Sequence, residues 1–278
     1  TSFEYGDFIR KNYYDAYKAL IARTSYEYVP LMDEFREYQY RSVTAFMHLL
    51  REKIAETDPD VYFSANMADL MSTFMGVADV ADFFCPELMY AYPINARTAV
   101  RYELGNAFDA PVNAAPNCMG NKELMTGDNA TEIMKIYTAE AYAHGGYVQV
   151  PYQAPYVSGL YGDDSDMVST DMEVLYLYYD YIHNHPELFM RLWPMADVGV
   201  LYSYASIRQY TGGGEDDFFG CAQTLIEHNI PCRVVATGDG VLIHKQLTDQ
   251  DLYGLKLLIL PSIIVMSEND IGGLQRFV

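Results

Sequence analysis

At 278 residues, half of them apolar, the chain is long enough for one large domain or two modest ones and has material for a sizeable core, which excludes disorder as the default. Its 38 acidic against 18 basic residues give a net charge of −20, a field that repels nucleic acid and anionic membrane and favours neutral or cationic partners. The longest apolar stretches, such as 255–266, fall short of the about 20 residues a membrane helix needs, and no basic segment followed by an apolar one opens the chain. Neither a membrane partner nor a signal peptide is expected, and the compartment stays open.

Residues 1–30 are rich in tyrosine and charge without a clean period, and they read as a loop plus a short helix near 11–21. From Leu31 the pattern changes. Leu31, Phe35, Tyr38, Val43, Phe46, Leu50 and Ile54 recur at helical steps while Glu34, Arg36, Glu37, Arg51 and Glu52 take the other face. This predicts a long amphipathic helix ended by Asp58-Pro59.

Next come a strand at 61–66, a helical stretch at 69–77, a strand at 82–88 and a helix at 94–106. A strand at 110–117 precedes a helix at 129–144, with Asp128 as its expected N-cap and Gly145-Gly146 as its stop, and a strand at 147–152 follows. Strands alternating with helices of this length imply a parallel sheet, since a parallel crossover needs a dozen or more residues. The expected fold is α/β, and residues 1–192 read as half of a (β/α)8 barrel.

An acidic loop at 159–166 leads to Thr170-Asp-Met-Glu173, a capping-box pattern that opens a helix to about residue 190. Trp193-Pro194 marks a boundary. Residues 193–278 then begin a second series: strand 198–204, helix 218–229, strands 233–236 and 255–260, and a helix from about Ser267. That is a doubly wound, flavodoxin-like pattern.

Strand ends carry the chemistry in barrels of this architecture, so Asn66, Glu87, Asn117 and Tyr152 are the first candidates, with Tyr90 nearby. Glu87 reads either as a catalytic or substrate-orienting carboxylate, or as a cap or ion-pair partner of Arg97 or Arg101. Asn66 and Asn117 suit hydrogen bonds to sugar hydroxyls but equally suit turns and caps. Tyr90 and Tyr152 could stack on a sugar or fill core, as the 26 tyrosines in general do. His144 fits a helix end, where the dipole favours imidazolium, better than a catalytic role.

Asp163, Asp164 and Asp166 lack the fuller loop of calcium sites and read as a solvated turn. The four cysteines show neither CxxC spacing nor a nearby histidine pair, so they read as free thiols, and no metal or cofactor is expected. Thr211-Gly-Gly-Gly stands where doubly wound folds cradle phosphate, but Glu215, Asp216 and Asp217 follow at once and would repel an anion.

The order of elements and several local strings resemble glycoside hydrolases related to the family 42 β-galactosidases. Ala139-Glu-Ala-Tyr-Ala-His-Gly-Gly-Tyr-Val-Gln-Val-Pro resembles their final barrel helix and strand, and Phe63-Ser-Ala-Asn resembles a fifth strand. Phe218-Phe-Gly-Cys-Ala-Gln-Thr-Leu-Ile-Glu-His-Asn-Ile-Pro and Leu255-Lys-Leu-Leu-Ile-Leu-Pro-Ser resemble the start of their flavodoxin-like trimerisation domain, which also resembles class I amidotransferases in fold. No nucleophile elbow accompanies that likeness, and Cys221 falls inside a helix.

The resemblance implies barrel strands five to eight followed by an incomplete trimerisation-type domain, a chain that looks like a fragment. It therefore implies either a homo-oligomer or a missing remainder of the chain. It also implies a carbohydrate substrate and hydrolysis of a glycosidic bond, which commonly takes two carboxyl groups. The family's acid/base follows strand four and its nucleophile is a Glu ending strand seven. Here that strand reads Pro111-Val-Asn-Ala-Ala-Pro-Asn, without an acid. A non-catalytic sugar-binding or assembly protein on the same scaffold is the alternative.

Overall fold

A computed structural model describes residues 32–88, 95–116, 128–149, 172–189, 195–209 and 213–278. The chain divides into two compact units, Thr1–Val61 and Tyr62–Val278. The expected short helix near 11–21, the acidic loop at 159–166, the capping box at 170–173 and the 192/193 boundary lie outside the described residues.

In the first unit, helix α1 spans Met32–Thr57, as the apolar spacing predicts. Asp58 closes it: its N–H reaches Ile54 O at 2.9 Å, its carboxylate accepts from Asp60 N at 3.0 Å, and Pro59 cannot continue the ladder. The covered face differs from the expected one. Thr44 is buried and Met47, Arg51 and Ile54 are half-buried, whereas Val43 and Phe46 are 57% and 55% exposed. At about 100° per residue the covered face is turned roughly a third of the circumference from the expected stripe.

In the second unit, strands β1 (Asn66–Met67), β2 (Cys85–Leu88), β3 (Asn113–Pro116) and β4 (Tyr147–Val148) form a parallel sheet in the order β1-β2-β3-β4. Strand β1 is shorter and later than the expected 61–66. Instead of a ladder, Phe63 N donates to the Asp82 carboxylate at 2.6 Å and Phe63 O accepts from Asp82 N at 2.8 Å. The helical stretch expected at 69–77 is a 3-10 turn, Met75–Val77. Its opening residue, Asp69, spends its carboxylate on Leu70 N at 2.6 Å and on both Nε and Nη2 of Arg101 at 2.5 Å, contacts that compete with a helical turn.

Helix α2 (Arg97–Ala107) carries the crossover from β2 to β3 and packs closely on the sheet. A Cβ on Gly105 would stand 2.5 Å from Val112 Cγ2 and 2.8 Å from Ala110 O, so only glycine permits that approach. Helix α3 (Ala130–Ala143) makes the next crossover; its N-cap is Asn129 without a side-chain cap, in place of the expected Asp128. It stops where expected. Gly145 adopts φ +70°, and Gly146 N reaches Ala141 O at 2.8 Å, which turns the chain into β4.

Helix α4 (Met172–Asn184) ends short of 190, because Pro186 forces His185 out of helical geometry and starts a 3-10 turn. The Tyr179 hydroxyl donates to Val148 O at 2.6 Å, tying α4 to β4.

A second parallel sheet has the order β6-β5-β7, with β5 (Val198–Ser203) between β6 (Cys232–Thr237) and β7 (Leu257–Ile259). Helix α5 (Tyr204–Gln209) begins where the expected strand would end, and α6 (Gly214–Glu227) starts after Gly213 at φ +110°. Helix α7 (Asp249–Leu252) opens with a capping box of Thr248 and Asp251; α8 (Glu268–Phe277) starts where expected and is capped by Ser267. Leu201, Val235, Leu247, Leu252 and Leu255 form the core on one side, with Leu274 and Phe277 of α8 packed against it.

Both sheets belong to the second unit, and α2 and α6 join them. The buried rings Tyr202, Phe218 and Phe219 stack edge to face, Phe108 meets Tyr202 at 5.9 Å, and the guanidinium groups of Arg97 and Arg101 lie over Phe219 at 4.5 and 5.4 Å. Each such ring contributes about 2–3 kcal/mol by burial. Among the polar links, Glu215 accepts from Ser72 N and Oγ at 2.6 and 3.0 Å, and His244 Nδ1 lies 2.6 Å from Asp79. The protein is therefore an α/β protein with parallel sheets.

Candidate functional site

The first sheet has two unlike faces. Met67, Pro86, Leu88, Val112, Ala114 and Val148 are buried, and α2 packs on that side through Val112. Alternation sends the intervening residues the other way. The ladder register places Asn66 beside Cys85, and Glu87 beside Ala115, on the second face. Asn66, Glu87 and Gln149 are exposed there, with Cys85, Asn113 and Ala115 half-buried.

Gln149 Nε2 donates to Cys85 Sγ at 3.2 Å. That contact reaches over β3, the strand between β4 and β2, so side chains from the outer strands converge above the middle one. Ala115 makes room for it. The backbones of Glu87 and Gln149 stand about two strand spacings or ~9.6 Å apart, and the Gln149 carboxamide spans that distance to meet the strand that carries the Glu87 carboxylate.

Of the sequence candidates, Asn66 and Glu87 fall on this open face, on neighbouring strands. Tyr90, Asn117 and Tyr152 lie outside the described residues. The suggested ion pairs of Glu87 are not formed: Arg97 pairs with Asp216 at 3.0 Å, and Arg101 with Asp69. Gln149 and Asn113 also stand on this face, although neither ends its expected strand. The readable signal was parity: Asn113 and Gln149 each stand an odd number of positions from a buried apolar neighbour in their strand.

His144 caps the C-terminal end of α3, where its Nδ1 lies 2.9 Å from Glu103 Oε1. Asn106 Nδ2 donates to His144 O at 2.7 Å. This pair lines a cleft of about 470 Å³ whose other walls include Met195, Ile226, Ile230 and Cys232. Burial pushes the Cys232 thiol up to about 11, and the negative charge of Glu103 adds to the effect. One turn back on α3, burial raises the Glu140 carboxyl from its ordinary 4.5 to about 7, against a smaller opposing pull from His144. Cys85, Cys221 and Cys232 are free thiols, and Cys221 lies within α6. Among the described residues no His/Cys/Asp/Glu group is arranged to hold a metal ion, and no helix is long and apolar enough to cross a membrane.

Comparison of the chain with protein-family models, with curated proteins and with solved structures found no match in any of the three.

Proposed function

We propose that this is a carbohydrate-active protein of glycoside-hydrolase type, whose sugar site is the open face of the first sheet. The observation that carries the reading is the Glu87–Ala115–Gln149 row: a charged acceptor and an amide that reaches over Ala115, with Asn66 and Asn113 beside them on the same face. Vicinal hydroxyls, each both donor and acceptor, suit such a set. A parallel sheet covered by helices on one face and open on the other also suits the interior wall of a (β/α)8 barrel, and the β6-β5-β7 order suits the start of a flavodoxin-like sheet. Both agree with the resemblance to the family 42 β-galactosidases, in which Glu87 would stand at the end of strand six.

A non-catalytic sugar-binding protein is the second reading, and one observation favours it. The side chain that reaches across the face toward the strand of Glu87 is an amide, Gln149, where hydrolysis would call for a second carboxyl group. A panel of chromogenic glycosides, run beside calorimetric titration with the matching free sugars, separates the two. Turnover that Glu87→Gln abolishes supports the enzyme; binding without turnover, weakened by Glu87→Gln, supports the binding protein. No sugar binding in either assay removes both.

A further inference from the structure

We infer that the cleft around Glu103 and His144 is a second binding site, one that takes an amphipathic organic cation: an ammonium or guanidinium group on an apolar body. The C-terminal ends of α2, α3 and α6 all line it, through Asn106, through Ala143 to Gly145, and through Ile226 to Ile230. The carbonyls of each last turn are taken up by the turn that follows, as in Asp109 N to Asn106 O at 3.0 Å, Gly146 N to Ala141 O at 2.8 Å and Asn229 N to Ile226 O at 2.9 Å, but the negative end of each helix dipole still faces the cleft, and three of them meet there. Glu103 adds a full carboxylate there, its side chain only 8% exposed.

No lysine or arginine is among the described residues lining the cleft. Behind it Arg233, buried, donates to the carbonyls of Asp251 and Tyr253 at 2.9 and 2.6 Å and also feels the charge of Glu103. His144, through Nδ1 at 2.9 Å, is the side chain in contact with the Glu103 carboxyl at the cleft. Met195, Ile226 and Ile230 supply the apolar side, and Met195 and Ile230 are 94% and 43% exposed at the mouth. A cation with an apolar body satisfies both halves of this lining, whereas an anion meets repulsion and a neutral sugar gains little from the apolar wall. The site lies apart from the open sheet face, so its fate is independent of the carbohydrate reading.

The test titrates the full chain with 2-phenylethylamine and, as a neutral match in size, 2-phenylethanol, following amide shifts of Gly145 and Asn229 by NMR. The expected result is saturable binding of the amine at least about tenfold tighter than the alcohol, a preference that weakens with added salt. Glu103→Gln should remove the preference. Ile230→Trp, at a half-exposed position that tolerates change, should block both ligands by filling the mouth. Equal affinity for amine and alcohol, shifts elsewhere than the cleft, or amine binding unchanged in both folded variants would overturn the proposal.

Discussion

Glu140 sits on α3 with its Oε1 buried and without a hydrogen-bond partner among the described residues, and that burial raises its carboxyl from 4.5 to about 7. In the unfolded chain the same group titrates near its ordinary value. Between pH 4.5 and 7 the folded state therefore binds more protons than the unfolded state, and stability falls as pH rises through that window. Each pH unit of the interval is worth up to about 1.4 kcal/mol, so the carboxylate destabilises the fold by about 3 kcal/mol above pH 7 relative to pH 4. Residual solvent contact places the measured effect nearer ~2 kcal/mol.

Glu140→Gln keeps the shape and removes the titration. Urea unfolding of both proteins between pH 4.5 and 8 checks the sign and size. The variant should gain on the parent by about 2–3 kcal/mol across the range, with all of the gain arising where Glu140 ionises. All other titrating groups are common to the two proteins and cancel. Parallel pH–stability curves would refute the reasoning, as would a parent that grows more stable with rising pH relative to the variant.

Gly146→Ala should destabilise by about 2–3 kcal/mol, because its Cβ would stand 2.1 Å from Tyr102 Cδ1 and 3.0 Å from Val112 O, and Tyr102 is fully buried; chemical denaturation reads this, and an unchanged midpoint contradicts the packing. Asp69→Ala leaves the buried Arg101 guanidinium without its two-point partner and should cost about 3–5 kcal/mol, whereas a loss under ~1 kcal/mol would mean that solvent reaches Arg101. Cys232, raised to about 11 from an ordinary 9.0, should react with iodoacetamide at pH 8 about a hundredfold slower than an unperturbed thiol, measured by mass spectrometry of the labelled peptide. Glu87 is exposed, so Glu87→Gln should change the melting midpoint little, within ~0.5 kcal/mol, which makes any loss of sugar binding interpretable.

The alternation of strands and helices was legible because its determinants are local. Apolar runs bounded by Pro and Gly place β2, β3 and β5 near their expected positions, and Gly145-Gly146 ends α3 through a positive φ that other residues resist. Where reading failed, a distant partner decided. Residues 61–66 form a shorter ladder because Asp82, nineteen positions on from Phe63, takes the Phe63 N–H, and 69–77 lose their helix as Asp69 answers Arg101. The candidate site was half legible. Asn66 and Glu87, expected as strand ends, do lie on the open face, but Asn66 opens β1 and Leu88 closes β2; that Gln149 reaches over Ala115 to Cys85 depends on strand order and register, which no single segment contains.

The sequence by itself determined the α/β class, the helix and strand series and the acidic balance, since propensity, period and charge are properties of short segments and of composition. Only the tertiary structure decided which face of the first sheet stays open, which acids lose their solvent, and that three helix ends meet beside Glu103. Those are properties of packing, in which a residue's surroundings come from elements far away along the chain.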